Sequence, residues 1–211
     1  MINKFKKQNY AVIKNAIDKN LAAFLYNYFL LKRQAANTFF KTKYISPKET
    51  MFGTWSDPQV PDTFSIYGDV AFETLLLKCQ PVMESTTNLK LHPNYSYARI
   101  YKKGDVLNRH KDRFSCEIST TMFLGGDRWP IYLEPSGKNN EKGVKVDLLP
   151  GDMLVYKGKF LEHWRDKFQG NNCGQVFLHY TNVKTKGSKE NLFDGRYHVG
   201  IPKDIKAGNI K

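Results

Sequence analysis

YARIYKKGDVLNRHKDRFSCEISTTMFLGG, residues 97–126, is the stretch on which the fold turns. Its two ends are short runs of aromatic and β-branched residues, and its middle carries Gly104 and Asp105, both turn formers. That grammar is strand, turn, strand. Past the turn stands His110-Lys111-Asp112. On a strand, residues two apart share a side, so His110 and Asp112 face one way and Lys111 the other. Two readings are open: half of a metal site, or two polar residues that share a face.

The same grammar continues outward. YSYARIY (95–101), EISTTMFL (117–124), PIYLE (130–134), VKVDLL (144–149), DMLVYK (152–157) and GQVFLHY (174–180) are short strand-like runs with turn signals between them. They predict an antiparallel sandwich or barrel. SGKNNEKG (136–143) reads as an exposed hairpin loop, and Pro150-Gly151-Asp152 as a tight turn before a buried strand. Ahead of them, Asp18 caps a helix over 19–40, with Leu21, Phe24, Leu25, Tyr28, Leu31, Ala35 and Phe39 at helical spacing. Asp69 caps a second helix through about Ser85, which Pro81 is expected to bend or end. Residues 43–69, rich in turn formers and aromatics, read as a long ordered loop bordering the site. Helices followed by about eight short strands fit an α+β, mainly β chain: a jelly roll buttressed by N-terminal helices.

Composition narrows the class. The 211 residues, 41% hydrophobic and 14% aromatic, suffice for one globular domain with a sizeable core. No apolar run approaches the ~20 residues of a membrane span, and the apolar segment after the basic start stops at Lys14, so a cytoplasmic protein without membrane contact is expected. Cys79, Cys116 and Cys173 are far apart, odd in number and without a CxxC pair; small buried thiols are expected. A net charge of +13 would draw nucleic acid or acidic partners, but the lysines are scattered where a binding footprint clusters.

Metals that do oxygen chemistry are often held by two histidines and one carboxylate on one face. A second histidine is needed from among His92, His163, His179 and His198. His163 stands out because it follows the Pro-Gly-Asp turn and strand, whereas His92 precedes a proline and His198 lies in a turn-rich tail.

The order of these parts resembles the iron(II)- and 2-oxoglutarate-dependent dioxygenases, in their prolyl-4-hydroxylase-like branch. The residues that carry it are the opening stretch, WPIYLEP (129–135), LLPGDMLVYKG (148–158), LEHWRD (161–166) and QVFLHY (175–180), with Tyr101-x-x-Gly104 ahead of His110 and Asp112. The resemblance implies a double-stranded β-helix and a metal triad of His110, Asp112 and His163. Its cofactors would be Fe(II), with 2-oxoglutarate and O2 as cosubstrates, and its reaction hydroxylation of a C–H bond with release of succinate and CO2. Asp112 favours that outcome, since related halogenases lack the carboxylate. About 1–90 would be helical support, about 91–183 the jelly-roll core and 184–211 a C-terminal extension, all within one domain over 1–211.

One position departs from the pattern. The family's cation for the distal carboxylate of 2-oxoglutarate falls about ten residues past the second histidine, where this chain has Cys173 and Gly174. Arg165, two past His163, would share its side of the strand and offer a bidentate fork. Its other reading is a surface arginine paired with Asp166 or Glu162. Tyr101, Gln175 and His179 are further cosubstrate-pocket candidates, and Arg99 shares the face of Tyr101. The resemblance favours a peptide substrate such as a peptidyl proline; a small molecule or amino acid remains open, as does a non-catalytic jelly-roll binding module with the histidines structural or on zinc. A nucleic-acid demethylase is disfavoured, because the arginine-rich final strand of alkylation-repair enzymes is absent from QVFLHYTNVK (175–184).

Overall fold

The computed structural model describes residues 2–46 and 48–207. In chain order the elements are α1 (Ile2–Gln8), β1 (Tyr10–Ile13), α2 (Lys19–Lys41), β2 (Phe64–Tyr67), α3 (Val70–Thr87) and β3 (Leu91–Lys102). They continue as β4 (Leu107–His110), β5 (Ile118–Gly126), β6 (Ile131–Leu133), β7 (Val144–Val146), β8 (Met153–Tyr156), β9 (His163–Arg165) and β10 (Asn172–Asn182). The strands form two antiparallel sheets, one ordered β1-β8-β5-β10-β3-β2 and the other β4-β9-β6-β7. This is the expected jelly roll with supporting helices. Among the described residues no helix is long and apolar enough to cross a membrane.

Alternation along the strands sorts two cores. On β10, Val176, Leu178 and Tyr180 face the helices and pack with Leu25, Phe29, Phe72 and Leu76. Cys173 on the same strand turns inward and packs with Tyr101, Leu107, Leu133, Leu154 and Tyr156 between the sheets. Because the large sheet is covered on both faces, its strands read as unbroken buried runs, such as β5.

Both helix caps are as expected: Asp18 accepts from Leu21 N at 2.9 Å and Asp69 from Ala71 N at 3.0 Å. Three details differ. The stripe of α2 that packs is Ala22, Leu25, Phe29 and Ala36, while Phe24 and Leu31 are 66% and 65% exposed. Apolar residues surround this helix, so spacing alone finds the packing stripe only in part: Leu21, Leu25 and Tyr28 do pack on the core, while Phe24 and Leu31 do not. Pro81 does not end α3, which runs on to Thr87, and its ring is exposed to solvent. Finally, β1, from the short apolar segment that stops at Lys14, and β2, from the stretch expected to be a loop, extend the large sheet at its two edges.

The turns behave as their residues require. Gly104, between β3 and β4, sits at φ +92°, and a Cβ added to it would meet nothing within 4 Å, so conformation and not space demands glycine there. Gly151 of the Pro-Gly-Asp turn sits at φ +86°, and the buried Asp152 accepts from Leu149 N, Asn15 N and Lys14 Nζ. The turn thereby ties the end of β1 to the barrel.

Candidate active site

Strand pairing brings the two histidines together: β4 and β9 are antiparallel with His110 opposite His163, ring centroids 4.2 Å apart. Asp112 lies two residues past the end of β4, placed by its N–H donating to Gly158 O at 3.0 Å. A loop contact thus positions the carboxylate, in place of the expected strand alternation, and Lys111 is exposed on the cavity lining instead of turned away. Asp112 Oδ1 stands 3.6 Å from His110 Nε2 and 3.4 Å from His163 Nε2. The ligand-capable atoms of the three residues all fall within 4.8 Å of one another.

Backbone carbonyls orient both rings. His110 Nδ1 is 2.7 Å from Asn108 O and His163 Nδ1 is 3.0 Å from Leu161 O. A carbonyl only accepts, so Nδ1 is the N–H donor in each ring and Nε2 is the nitrogen directed at Asp112. Two oriented imidazoles and a carboxylate on one face fit a first-row divalent metal, with the ring partners that metal-binding histidines require. Burial opposes the charge on Asp112, yet the neighbouring imidazoles, His163 before His110, hold its carboxyl well below the usual range. Burial likewise opposes protonation of His163, and the Asp112 charge outweighs it, so the ring is raised. Asp112 is therefore held ionised beside the two Nε2 atoms, and it favours a positive charge between them.

A cavity of about 490 Å3 opens over these residues. Tyr101, Arg99, Tyr156 and His179 line it, whereas Arg165 and Gln175, both buried, do not. Arg165 is 1% exposed; its guanidinium donates to Trp129 O and, at 3.3 Å, to Thr121 Oγ1, and lies over the Trp129 ring. That overturns the surface reading, and Glu162 pairs with Arg109 at 3.2 Å instead. Among the described residues no carboxylate pairs with Arg165, and its Nε has no hydrogen-bond partner. Gln175 Oε1 accepts from the same Thr121 hydroxyl at 3.0 Å, and its Nε2 donates to Cys173 Sγ at 3.3 Å. Cys173, where the resemblance would have placed the cation, is fully buried.

Arg99 is committed elsewhere. It is 1% exposed, forms an ion pair with Asp57, and donates to Gln59 Oε1 at 3.2 Å and Tyr101 Oη at 3.3 Å. Gln59 Nε2 in turn reaches His110 Nε2 at 3.1 Å. The long loop does border the site, but nothing in its composition singles out Asp57 or Gln59. His179 Nδ1 is 2.9 Å from Ser119 Oγ, and its ring packs on Tyr95 at 4.5 Å. Burial, chiefly, takes its pKa down to about 4, so it is neutral at pH 7.

The C-terminal extension supplies part of the wall. Lys203 lines the cavity, and the buried Asp194 receives Arg113 through both guanidinium nitrogens, at 2.7 and 2.8 Å, with Tyr67 Oη at 2.7 Å. Further along, Arg196 meets Glu73 of α3 at 2.7 and 3.1 Å, both side chains almost fully buried.

No family model matches this sequence, and no curated protein matches it. Solved structures do. A Pseudomonas putida prolyl-4-hydroxylase aligns with TM-score 0.58 at 12% identity, over 86% of this chain and 96% of that one. The fold is that of the 2-oxoglutarate- and iron(II)-dependent oxygenases. A prolyl hydroxylase from Trichoplax adhaerens, in complex with a hypoxia inducible factor peptide fragment, aligns with TM-score 0.57 at 16% identity, over 87% of this chain and 88% of that one. HygX from Streptomyces hygroscopicus, with nickel, 2-oxoglutarate and hygromycin B bound, aligns with TM-score 0.58 at 14% identity, over 86% of each chain.

Proposed function

We propose that the chain is an Fe(II)- and 2-oxoglutarate-dependent dioxygenase that hydroxylates a C–H bond, releasing succinate and CO2. The observation that carries this is the convergence of His110 Nε2, His163 Nε2 and Asp112 Oδ1 at the cavity, each ring held by a backbone carbonyl. Those three residues would hold the metal. When bound, Fe(II) supplies the redox chemistry that joins oxidation of 2-oxoglutarate by O2 to oxidation of the substrate.

Arg165 is assigned to the distal carboxylate of 2-oxoglutarate. A guanidinium so deeply buried without an anionic partner is costly, and a carboxylate ligand would relieve that cost. Arg99, the other buried arginine of the barrel, already has Asp57. Tyr101 lines the cavity at this end of the barrel, and Gln175, buried behind the lining, would steady Arg165 through the Thr121 hydroxyl they share. His179 is reassigned from the cosubstrate to the support of Asp112, which it reaches through the Ser119 hydroxyl.

For the substrate, a peptidyl proline is the first choice, and the likeness to a prolyl hydroxylase that binds a peptide supports it. A small molecule is the second, on an equally good likeness to HygX with its bound hygromycin B. The whole chain, 1–211, is read as one catalytic domain, since elements before and after the jelly roll contribute Gln59 and Lys203 to the cavity lining. The test is incubation with Fe(II), 2-oxoglutarate and O2 against a host peptide pool and, separately, a metabolite pool. Mass spectrometry should find a gain of one oxygen in one pool, with matching succinate. A metal-replete protein that forms no succinate in either pool would point to a binding module.

A further inference from the structure

The two oxygens of Asp112 have different surroundings. Oδ1 faces the two histidine Nε2 atoms, while Oδ2 accepts from Ser119 Oγ at 3.0 Å. Ser119 is fully buried on β5, and its hydroxyl also contacts Cys116 O at 3.0 Å and His179 Nδ1 at 2.9 Å. A hydroxyl has one hydrogen to give and the carboxylate can only accept. When that hydrogen goes to Asp112, His179 Nδ1 must donate to Ser119, giving a chain from imidazole to hydroxyl to carboxylate. Tyr95 packs on the His179 ring and its hydroxyl meets Cys116 Sγ at 3.1 Å, which closes the back of the group.

Gly158 forms the floor. Its carbonyl accepts the Asp112 N–H, and its φ is ordinary, so no backbone strain explains a glycine here. Space does: a Cβ at 158 would collide with Asp112 Oδ2 and Ser119 Oγ and lie 2.6 Å from Cys116 O.

The geometry points to Ser119, His179 and Gly158 as a positioning unit that holds Asp112 as a one-oxygen metal ligand. This rests on the metal site proposed above. Fixing Oδ2 keeps the carboxylate from swinging into two-oxygen coordination, which would take up a position that cosubstrate or O2 needs. The cluster of Asp112, Cys116 and His179, whose ligand-capable atoms also lie within 4.8 Å, is then the support of the first site and not a second metal site.

Mn(II) binding to the full chain, followed by electron paramagnetic resonance, tests this without turnover. Ser119→Ala should weaken Mn(II) roughly 10- to 100-fold, the range for loss of an outer partner of a metal ligand, while its melting temperature stays near wild type. His179→Phe should weaken it less, since it acts through Ser119, and Gly158→Ala should weaken it at least as much as Ser119→Ala. If Gly158→Ala fails to fold, the serine variant alone decides. Stoichiometric Mn(II) binding by wild type with the same affinity in Ser119→Ala would overturn the positioning unit and leave the metal site intact. No binding by wild type would overturn both.

Discussion

Replacing Arg165 with methionine should have opposite consequences for the cosubstrate and for the fold. Methionine keeps much of the volume under Trp129 and removes the charge. The guanidinium is 1% exposed, has no carboxylate partner among the described residues and leaves Nε unbonded, so its loss removes a buried uncompensated charge. Against that gain stands the loss of donors to Trp129 O and Thr121 Oγ1, about 1–3 kcal/mol for the carbonyl left without them. The two offset, and the melting temperature should move by only a few degrees. With 2-oxoglutarate bound the balance reverses, because its distal carboxylate would be left buried and unpaired. Truncating one partner of such a pair costs about 2–4 kcal/mol, or roughly 30- to 900-fold in Kd. Calorimetric titration of 2-oxoglutarate into the Mn(II)-loaded protein measures this, and Mn(II) affinity itself should stay unchanged. An unaltered 2-oxoglutarate Kd in Arg165→Met would refute the assignment and shift it to Arg99.

Two further outcomes follow from the C-terminal extension. Arg196→Met should destabilise the fold by about 3–5 kcal/mol, because it strands the buried Glu73 carboxylate; chemical denaturation measures it, and a loss below about 1 kcal/mol would contradict the reading. Asp194 has its pKa lowered to about 2 from 3.8, burial being outweighed by Arg113, Ser115 and Tyr67. A carboxyl depressed in the folded state gives stability present above its unfolded pKa and lost as pH falls through the folded one. The stability difference between wild type and Asp194→Asn, about 2 kcal/mol at neutral pH, should therefore shrink between about pH 4 and pH 2; a difference constant across that window would contradict it.

What was legible in the sequence was local. Asp18 and Asp69 announce helices because a cap needs only its own next turn, and the strand runs of the barrel show as aromatic and β-branched residues between turn formers. His110, Asp112 and His163 were readable through the order of motifs, not through alternation, since Asp112 lies beyond the end of β4. The rest depends on partners distant in the chain. Nothing near Gln59 says that it will reach His110, 51 residues on, and the bridge from Arg113 to Asp194 spans 81 residues. It relies on Phe193 and Asp194 both adopting positive φ, a conformation that aspartate tolerates but that a phenylalanine does not suggest. Gly158 looks like an ordinary turn glycine, and only the packed carboxylate beside it shows why a side chain is excluded.

The central claim is that His110, Asp112 and His163 hold iron in a form that chelates 2-oxoglutarate. Under anaerobic conditions, adding 2-oxoglutarate to the Fe(II)-loaded chain should produce the weak visible charge-transfer band of a chelated keto acid, saturating at one equivalent. His110→Ala, Asp112→Ala and His163→Ala should each abolish it while remaining folded. A wild-type protein that binds Fe(II) and shows no band at saturating 2-oxoglutarate, or an Asp112→Ala variant that keeps the full band, would contradict the account.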